Sequence, residues 1–113
     1  MSVKVMIADD HSMIREGISQ LLELNENIKV IGEAANGKEC LQLLSRCNAD
    51  ILLLDINMPN MNGLEVLEKL KEKKIKVKVL VLTVHNEVEY LLRAVDIGIN
   101  GYLLKDSESA ELK

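Results

Sequence analysis

The chain has 113 residues, 48% of them hydrophobic and 28% charged, with a formal net charge of -4. That is the balance of one soluble globular domain long enough to bury a core, and its acidity argues against direct contact with nucleic acid or an anionic membrane surface. No apolar run approaches a membrane span and the N-terminus lacks a signal-peptide layout, so a cytoplasmic protein with no membrane partner is expected.

The elements alternate along the chain. Val3–Ala8 is a nearly continuous apolar run, as expected of a strand covered on both faces. It stops at Asp9 and Asp10. Ile14, Ile18, Leu21 and Leu22 then recur at helical spacing. Ile28–Ala35 reads as a second strand, and its Lys29 and Glu33 suggest a sheet edge. Cys40, Leu43, Leu44 and Cys47 form a second helical stripe. Ile51–Leu54 is a short, wholly apolar run and predicts a central strand. Leu64, Leu67 and Leu70 predict a third helix. Val77–Leu82 predicts a fourth strand, and Val88, Leu91, Leu92 and Val95 a helix after it. Gly101–Leu104 predicts a fifth strand, and Ser107–Lys113 the start of a fifth helix, with Ser107 or Ser109 as N-cap. Five strand–helix alternations predict an α/β fold: a doubly wound five-stranded parallel sheet with helices on both faces. The strand order expected is 2-1-3-4-5, the flavodoxin-like arrangement, which with right-handed crossovers would make the first and third strands neighbours. The fifth helix is expected to be truncated.

With only Tyr90 and Tyr102 as aromatics, the core must be aliphatic. Cys40 and Cys47 lie seven residues apart on one predicted helix, about 10.5 Å along its axis. That exceeds the reach of a disulfide, so core-facing thiols are expected. Asn-Gly occurs at 36–37, 62–63 and 100–101. Each pair lies beside a helical stripe, so a left-handed residue at a strand–helix joint is expected there, not a hairpin turn.

The first strand's end poses the functional question. Adjacent carboxylates repel, and a buried strand end desolvates them. In a doubly wound sheet ligands sit outside the carboxyl ends of the strands. Those ends carry Asp9 and Asp10 (first strand), Asp55 (third), Thr83 (fourth) and Lys105 (fifth). Taken singly, each has a bland reading, Asp10 as a helix cap among them. Together they form one acidic rim that a hard divalent ion would stabilise. A threonine hydroxyl and a lysine beside it suggest an oxygen-rich anion, hence phosphoryl chemistry. The stretch from Asp55 does not make a calcium loop, because its sixth position is Asn60 and its twelfth Val66. Neither G-x-G-x-x-G nor a P-loop is present to hold a nucleotide.

The segments ADDH, LLLDINMPNMNG, LTVH and GYLLKD, in this order and spacing, resemble the receiver domain of bacterial two-component response regulators. ADDHSMIREGI, VIGEAANGKE and AVDIGINGYLLKD are similar to the NarL/FixJ (LuxR-type) subfamily. The resemblance spans essentially residues 1–113. It implies a phosphorylation-activated switch that accepts a phosphoryl group from a sensor histidine kinase on Asp55. It further implies Mg²⁺ (or Mn²⁺) held by Asp10, Asp55 and the backbone carbonyl of Asn57, with Asp9 acting through a water. Thr83 and Lys105 would bind the phosphoryl group, and Tyr102 would be the switch aromatic. A C-terminal helix-turn-helix domain would carry DNA binding, and a phosphorylation-dependent homodimer is compatible with the family. Asp106 stands where the family commonly has proline, and Val84 where it often has alanine or glycine.

Two other functions compete. A Mg²⁺-dependent phosphohydrolase would need a second acid two residues after its nucleophile, and Asn57 stands there. A flavodoxin-like electron carrier would want aromatic neighbours for its flavin, which this chain lacks. The domain is therefore expected to be a phosphoacceptor that catalyses only its own phosphorylation and dephosphorylation.

Overall fold

A computed structural model describes residues 3–56, 58, 61–83 and 88–104. Strands and helices alternate through them: β1 (Val3–Ala8), α1 (Ser12–Glu23), β2 (Ile28–Ala34), α2 (Gly37–Arg46), β3 (Ile51–Asp55), α3 (Gly63–Glu72), β4 (Lys78–Thr83), α4 (Val88–Ile97) and β5 (Gly101–Leu104). The sheet order is β2-β1-β3-β4-β5 and every neighbouring pair is parallel. This is the predicted architecture. The expected fifth helix, Ser107–Lys113, lies outside the described residues. Among the described residues, no helix is long and apolar enough to cross a membrane.

The sheet divides the core in two. Met6, Ala8, Leu52, Leu54, Val79 and Val81 point to one face, where α2, α3 and α4 cover them. Val5, Ile7, Leu53 and Leu82 point to the other, against Ile18 and Leu22 of α1. The period-two alternation of a strand is why an unbroken apolar run serves both faces. β3 sits at the centre and is buried from Leu52 to Asp55. Each fully buried leucine there contributes about 1.5–3 kcal/mol relative to exposure. β2 is an edge strand, as its charged positions suggested, and Lys29 and Glu33 are exposed.

Two helical stripes differ from expectation. In α1, Ile18 and Leu22 pack inward, but Leu21 is exposed, Ile14 lies at the boundary, and no residue of the helix is fully buried. In α4, Val88, Leu92 and Val95 are more than half exposed, and the inward residues are Leu91, Ala94 and Ile97. Ala94 is fully buried. A stripe chosen by its large side chains overlooks an alanine, which marks the line of closest approach because it is small. The outer face of α4 is correspondingly apolar in part.

The Asn-Gly pairs also serve a different purpose. Among the described residues only Lys74 (φ 54°) and Gly98 (φ 122°) have positive φ. Asn36 and Asn62 are extended N-caps whose side chains accept from the Glu39 and Glu65 amides at 2.8 and 3.0 Å. The Glu65 carboxylate accepts the Asn62 amide in return, completing a capping box. Asn100 clamps β4 instead: its side-chain oxygen accepts from the Val79 amide at 2.9 Å, and its own amide donates to the Val79 carbonyl at 2.9 Å. Asparagine was chosen for its oxygen as a short-range acceptor, a use that the dipeptide signal does not separate from left-handed geometry.

Both thiols are free; Cys40 is buried and Cys47 is partly buried against the same core. Burial, with a smaller contribution from the Glu39 charge, raises the Cys40 thiol from 9.0 to about 12. The fold therefore favours the neutral thiol. That contribution to stability is intact below pH 9.0 and is lost as pH rises toward about 12. Cys40 should resist alkylation in the native protein at neutral pH and react on denaturation. Denaturant titrations should show the parent losing more stability than Cys40→Ala over that alkaline range.

Candidate functional site

β1, β3 and β4 are neighbours, and their carboxyl ends bring the predicted residues to one rim. Asp9 follows β1 directly and is fully buried. Its amide donates to the Ala34 carbonyl of β2 at 3.0 Å. Its carbonyl accepts from Arg15 Nη1 at 2.6 Å, and Arg15 Nε in turn donates to Glu33 at 3.2 Å. Helix α1 thus fixes the backbone that carries the acidic pair. Asp10, one residue on, is partly exposed. It does not cap α1: the N-cap is His11, which makes no side-chain capping bond.

Asp55 is the last residue of β3 and is buried. It stands in register with Leu82, and the next amide, of Ile56, donates to the Leu82 carbonyl at 3.2 Å. Gly63 lies back against this strand end, its amide donating to the Ile56 carbonyl at 2.7 Å. A Cβ on Gly63 would lie 2.7 Å from the Asp55 carbonyl oxygen and 2.7 Å from the Ile56 Cα. Glycine at 63 lets α3 begin directly against the Asp55 backbone. Thr83 ends β4 and is also buried.

Carboxylate oxygens of Asp9, Asp10 and Asp55 and a ring nitrogen of His11 all lie within 4.8 Å of one another. Buried like charges repel and have lost hydration. A donor set of three carboxylates suits a hard divalent cation, which takes oxygen ligands and keeps several waters. The residues present therefore fit a Mg²⁺-like ion.

Two predicted residues, Asn57 and Lys105, lie outside the described residues. Tyr102 is described: it stands in register with Val81, on the sheet face covered by α4, and is about half exposed. It does not take part in the acidic cluster. Sequence reasoning missed His11, although it ends the ADDH motif. Its Nδ1 lies 2.9 Å from Asp9 Oδ1 and 3.1 Å from Asp10 Oδ1, and its amide donates to Asp9 Oδ1 at 2.8 Å. An imidazole directly after two acids was the available signal. Arg15 was missed as well, and its role needs the α1–β2 contact to be seen.

Comparison with known proteins gives a consistent picture. The family model described as the response regulator receiver domain matches residues 5–113. The nitrate/nitrite response regulator NarL of Escherichia coli K12 is 44% identical over 108 residues, covering 96% of this chain and 50% of that protein. The transcriptional regulatory protein YdfI of Bacillus subtilis 168 is 42% identical, covering 96% and 51%. The chain thus spans about half the length of the curated relatives it matches. Among solved structures, the receiver domain of AraT, a response regulator from Geobacillus stearothermophilus, is similar with a TM-score of 0.86 at 38% identity, covering 99% of this chain and 88% of that one. A LuxR-family DNA-binding response regulator from Staphylococcus aureus gives 0.87 at 32%, covering 97% and 92%.

The Gly63 contact generates a prediction. Gly63→Ala should destabilise the fold by about 1–3 kcal/mol through overpacking against backbone that cannot yield, as measured by denaturant unfolding. Because the clash is with Asp55 and Ile56, divalent-ion affinity measured by calorimetry should fall in the folded variant. Wild-type stability and affinity in Gly63→Ala would show that α3 does not set the position of Asp55.

Proposed function

Because the chain belongs to the response regulator receiver domain family, and specifically to its LuxR-type branch, we propose that it is a switch operated by phosphorylation of Asp55. The observation that carries this reading is the placement of Asp55: buried at the end of the central strand, within 4.8 Å of two further carboxylates. Such a carboxylate is kept from bulk water and ready to act as an oxygen nucleophile when the neighbouring charge is balanced.

In this reading Asp10, Asp55 and the Asn57 carbonyl would hold Mg²⁺, with Asp9 reaching it through a water. When bound, the ion supplies positive charge for the oxygens of the transferred phosphoryl group. The Asp55 carboxylate attacks phosphorus in line while the bond to the phosphohistidine nitrogen of a sensor kinase breaks. Asp55 then carries an acyl phosphate. The Thr83 hydroxyl donates to a phosphoryl oxygen, and Lys105 pairs with the phosphoryl charge. Shifting a two-state population from 1:99 to 99:1 takes about 5.5 kcal/mol. Charge-assisted hydrogen bonds at about 1.5–3 kcal/mol each supply that scale. Tyr102, half exposed on β5, turns inward as Thr83 moves toward the phosphate.

The output would be transcriptional. A C-terminal helix-turn-helix domain in the full-length protein would bind DNA, and phosphorylation would control it directly or through a homodimer. The acidic receiver domain would not touch DNA itself. These are properties of the whole protein, of which this chain matches about half the length in relatives.

Incubation with acetyl phosphate and Mg²⁺, followed by intact-mass measurement, tests the acceptor. The parent should take one phosphoryl group per chain without sustained turnover, and Asp55→Asn should take none while keeping its fold. Undiminished label on Asp55→Asn would place the acceptor elsewhere. Titration with beryllofluoride and Mg²⁺ should shift amide resonances of β4, α4 and Tyr102 and leave Gly32–Leu44 nearly unchanged. Shifts restricted to the neighbours of Asp55 would show binding without switching.

A further inference from the structure

We propose that the lysine-rich face where α3 hands over to β4 is a docking site for an acidic segment of a partner protein, which seats an apolar side chain in the groove beside the lysines. The inference is independent of the phosphorylation reading above and concerns the opposite end of the sheet.

Charge points to it first. The stretch KLKEKKIKVK, residues 69–78, holds six of the chain's 14 lysines and arginines and one acid, Glu72. Six lysines against one acid give it +5, in a chain whose total is -4. All six lysines are exposed. Lys69 lies 3.8 Å from Glu72, and among the described residues the other five have no ion pair. Lys69 and Lys71 complement the dipole at the carboxyl end of α3. That accounts for two of them. Lys73, Lys74, Lys76 and Lys78 follow the helix, and Lys78 opens β4, at the far end of that strand from Thr83.

The backbone fixes how these charges are presented. The Ile75 amide donates to the Leu70 carbonyl at 3.0 Å, and the Lys74 amide to the Lys71 carbonyl at 3.2 Å. This is the paired closure of a Schellman turn, with Lys74 at its left-handed position, φ 54°. Glycine takes that position without strain, whereas a side chain there is uncommon and costs stability. A lysine thus stands where glycine would be easier, and such local strain is found where a side chain serves another purpose.

Beside the charges is a concave apolar surface. A groove of about 320 Å³ runs between the ends of α3 and α4, lined by Leu67, Leu70, Ile75, Val77 and Val79. Lys71, Lys74 and Lys76 contribute its charge, and Gly98, which follows α4, its far side. The Lys71 ammonium lies 3.6 Å from where a Cβ on Gly98 would stand, so it reaches across to the residue that ends α4. Apolar walls with a few convergent charged groups are the usual make-up of a binding site.

Complementarity then selects the occupant. Six like charges spread along residues 69–78 exceed what one small anion can meet, and they match a row of carboxylates. The apolar walls call for an aliphatic side chain among those carboxylates. Nucleic acid fits less well. The stretch has no arginine, and neither Tyr90 nor Tyr102 lines the groove to stack on a base.

Nitrogen-15 spectra of the chain test this, titrated with a short capped peptide whose central leucine is flanked on each side by aspartate and glutamate. Amide shifts are expected across Leu67–Val79 and at Gly98, and not at Asp9, Asp10 or Asp55. Binding should weaken at least about tenfold in Lys71→Gln/Lys74→Gln/Lys76→Gln, the scale of three exposed ion pairs together. It should weaken likewise in about 1 M salt, where charges are screened within about 3 Å. Replacing the peptide's leucine by alanine should cost about fivefold or more. Lys74→Gly separates binding from folding. It relieves the left-handed strain, so its melting temperature should not fall, while its affinity should drop about twofold or more. The inference is overturned if the shifts are absent or fall elsewhere, if the triple variant binds as the parent does, or if the peptide's leucine makes no difference. It is overturned equally if duplex DNA or phosphatidylserine vesicles occupy this face and the peptide does not.

Discussion

The molecule is arranged around a concentration of carboxylates at one rim of the sheet. Asp9 and Asp55 are buried, and with Asp10 they converge within 4.8 Å. Three carboxylates do not reach that separation by packing preference; like charge and lost hydration both oppose it. The arrangement is imposed by parallel strands in register. β1 and β3 are neighbours, Ala8 stands opposite Leu54, and the residues after each pair therefore leave the sheet at one level. The many buried aliphatic side chains of β1 and β3 outweigh the local repulsion.

The supporting parts read as ways of holding that level. Arg15 ties the Asp9 carbonyl to α1 and, through Glu33, to the edge strand. Gly63 lets α3 begin against the Asp55 backbone, and the Asn62–Glu65 capping box fixes where α3 starts. A carboxylate must be positioned to within a fraction of an ångström to share an ion with two others. Such precision comes from backbone hydrogen bonds and close-packed glycine more than from the acids themselves.

Much of this was legible in the sequence because it rests on patterns of period two and on chain order. The apolar runs of β1 and β3 and the charged positions of β2 placed the strands and told centre from edge. Alternation pointed to a doubly wound parallel sheet, and the order 2-1-3-4-5 expected for it brings Asp9, Asp10 and Asp55 together. What the sequence did not reveal depends on contacts between segments. Ala94 faces the core of α4 while three larger apolar residues face out, since helix orientation is decided by the sheet beneath it. The asparagines at 36, 62 and 100 act as acceptors for particular amides, and those partners are known only once the elements are docked. His11 had a signal in its two acidic neighbours, but its ring position follows from the backbone of the turn.

The small residue at the base of α4 has a mechanical consequence. α2 is held by Cys40 and Leu44 and α3 by Leu64, Val66, Leu67 and Leu70, all buried. α4 has Ala94 as its one fully buried residue among those described. The free energy lost when a side chain leaves its socket grows with the volume vacated, about 24 cal/mol per Å³ of cavity. A methyl group vacates little, and the other inward residues of α4, Leu91 and Ile97, are only partly buried. α4 can therefore translate or roll over the sheet at small cost, while α2 and α3 are locked by their own sockets. The molecule resembles a bearing, with one smooth journal beside two keyed shafts. Whatever strains the rim at β4 will find its path of least resistance along α4.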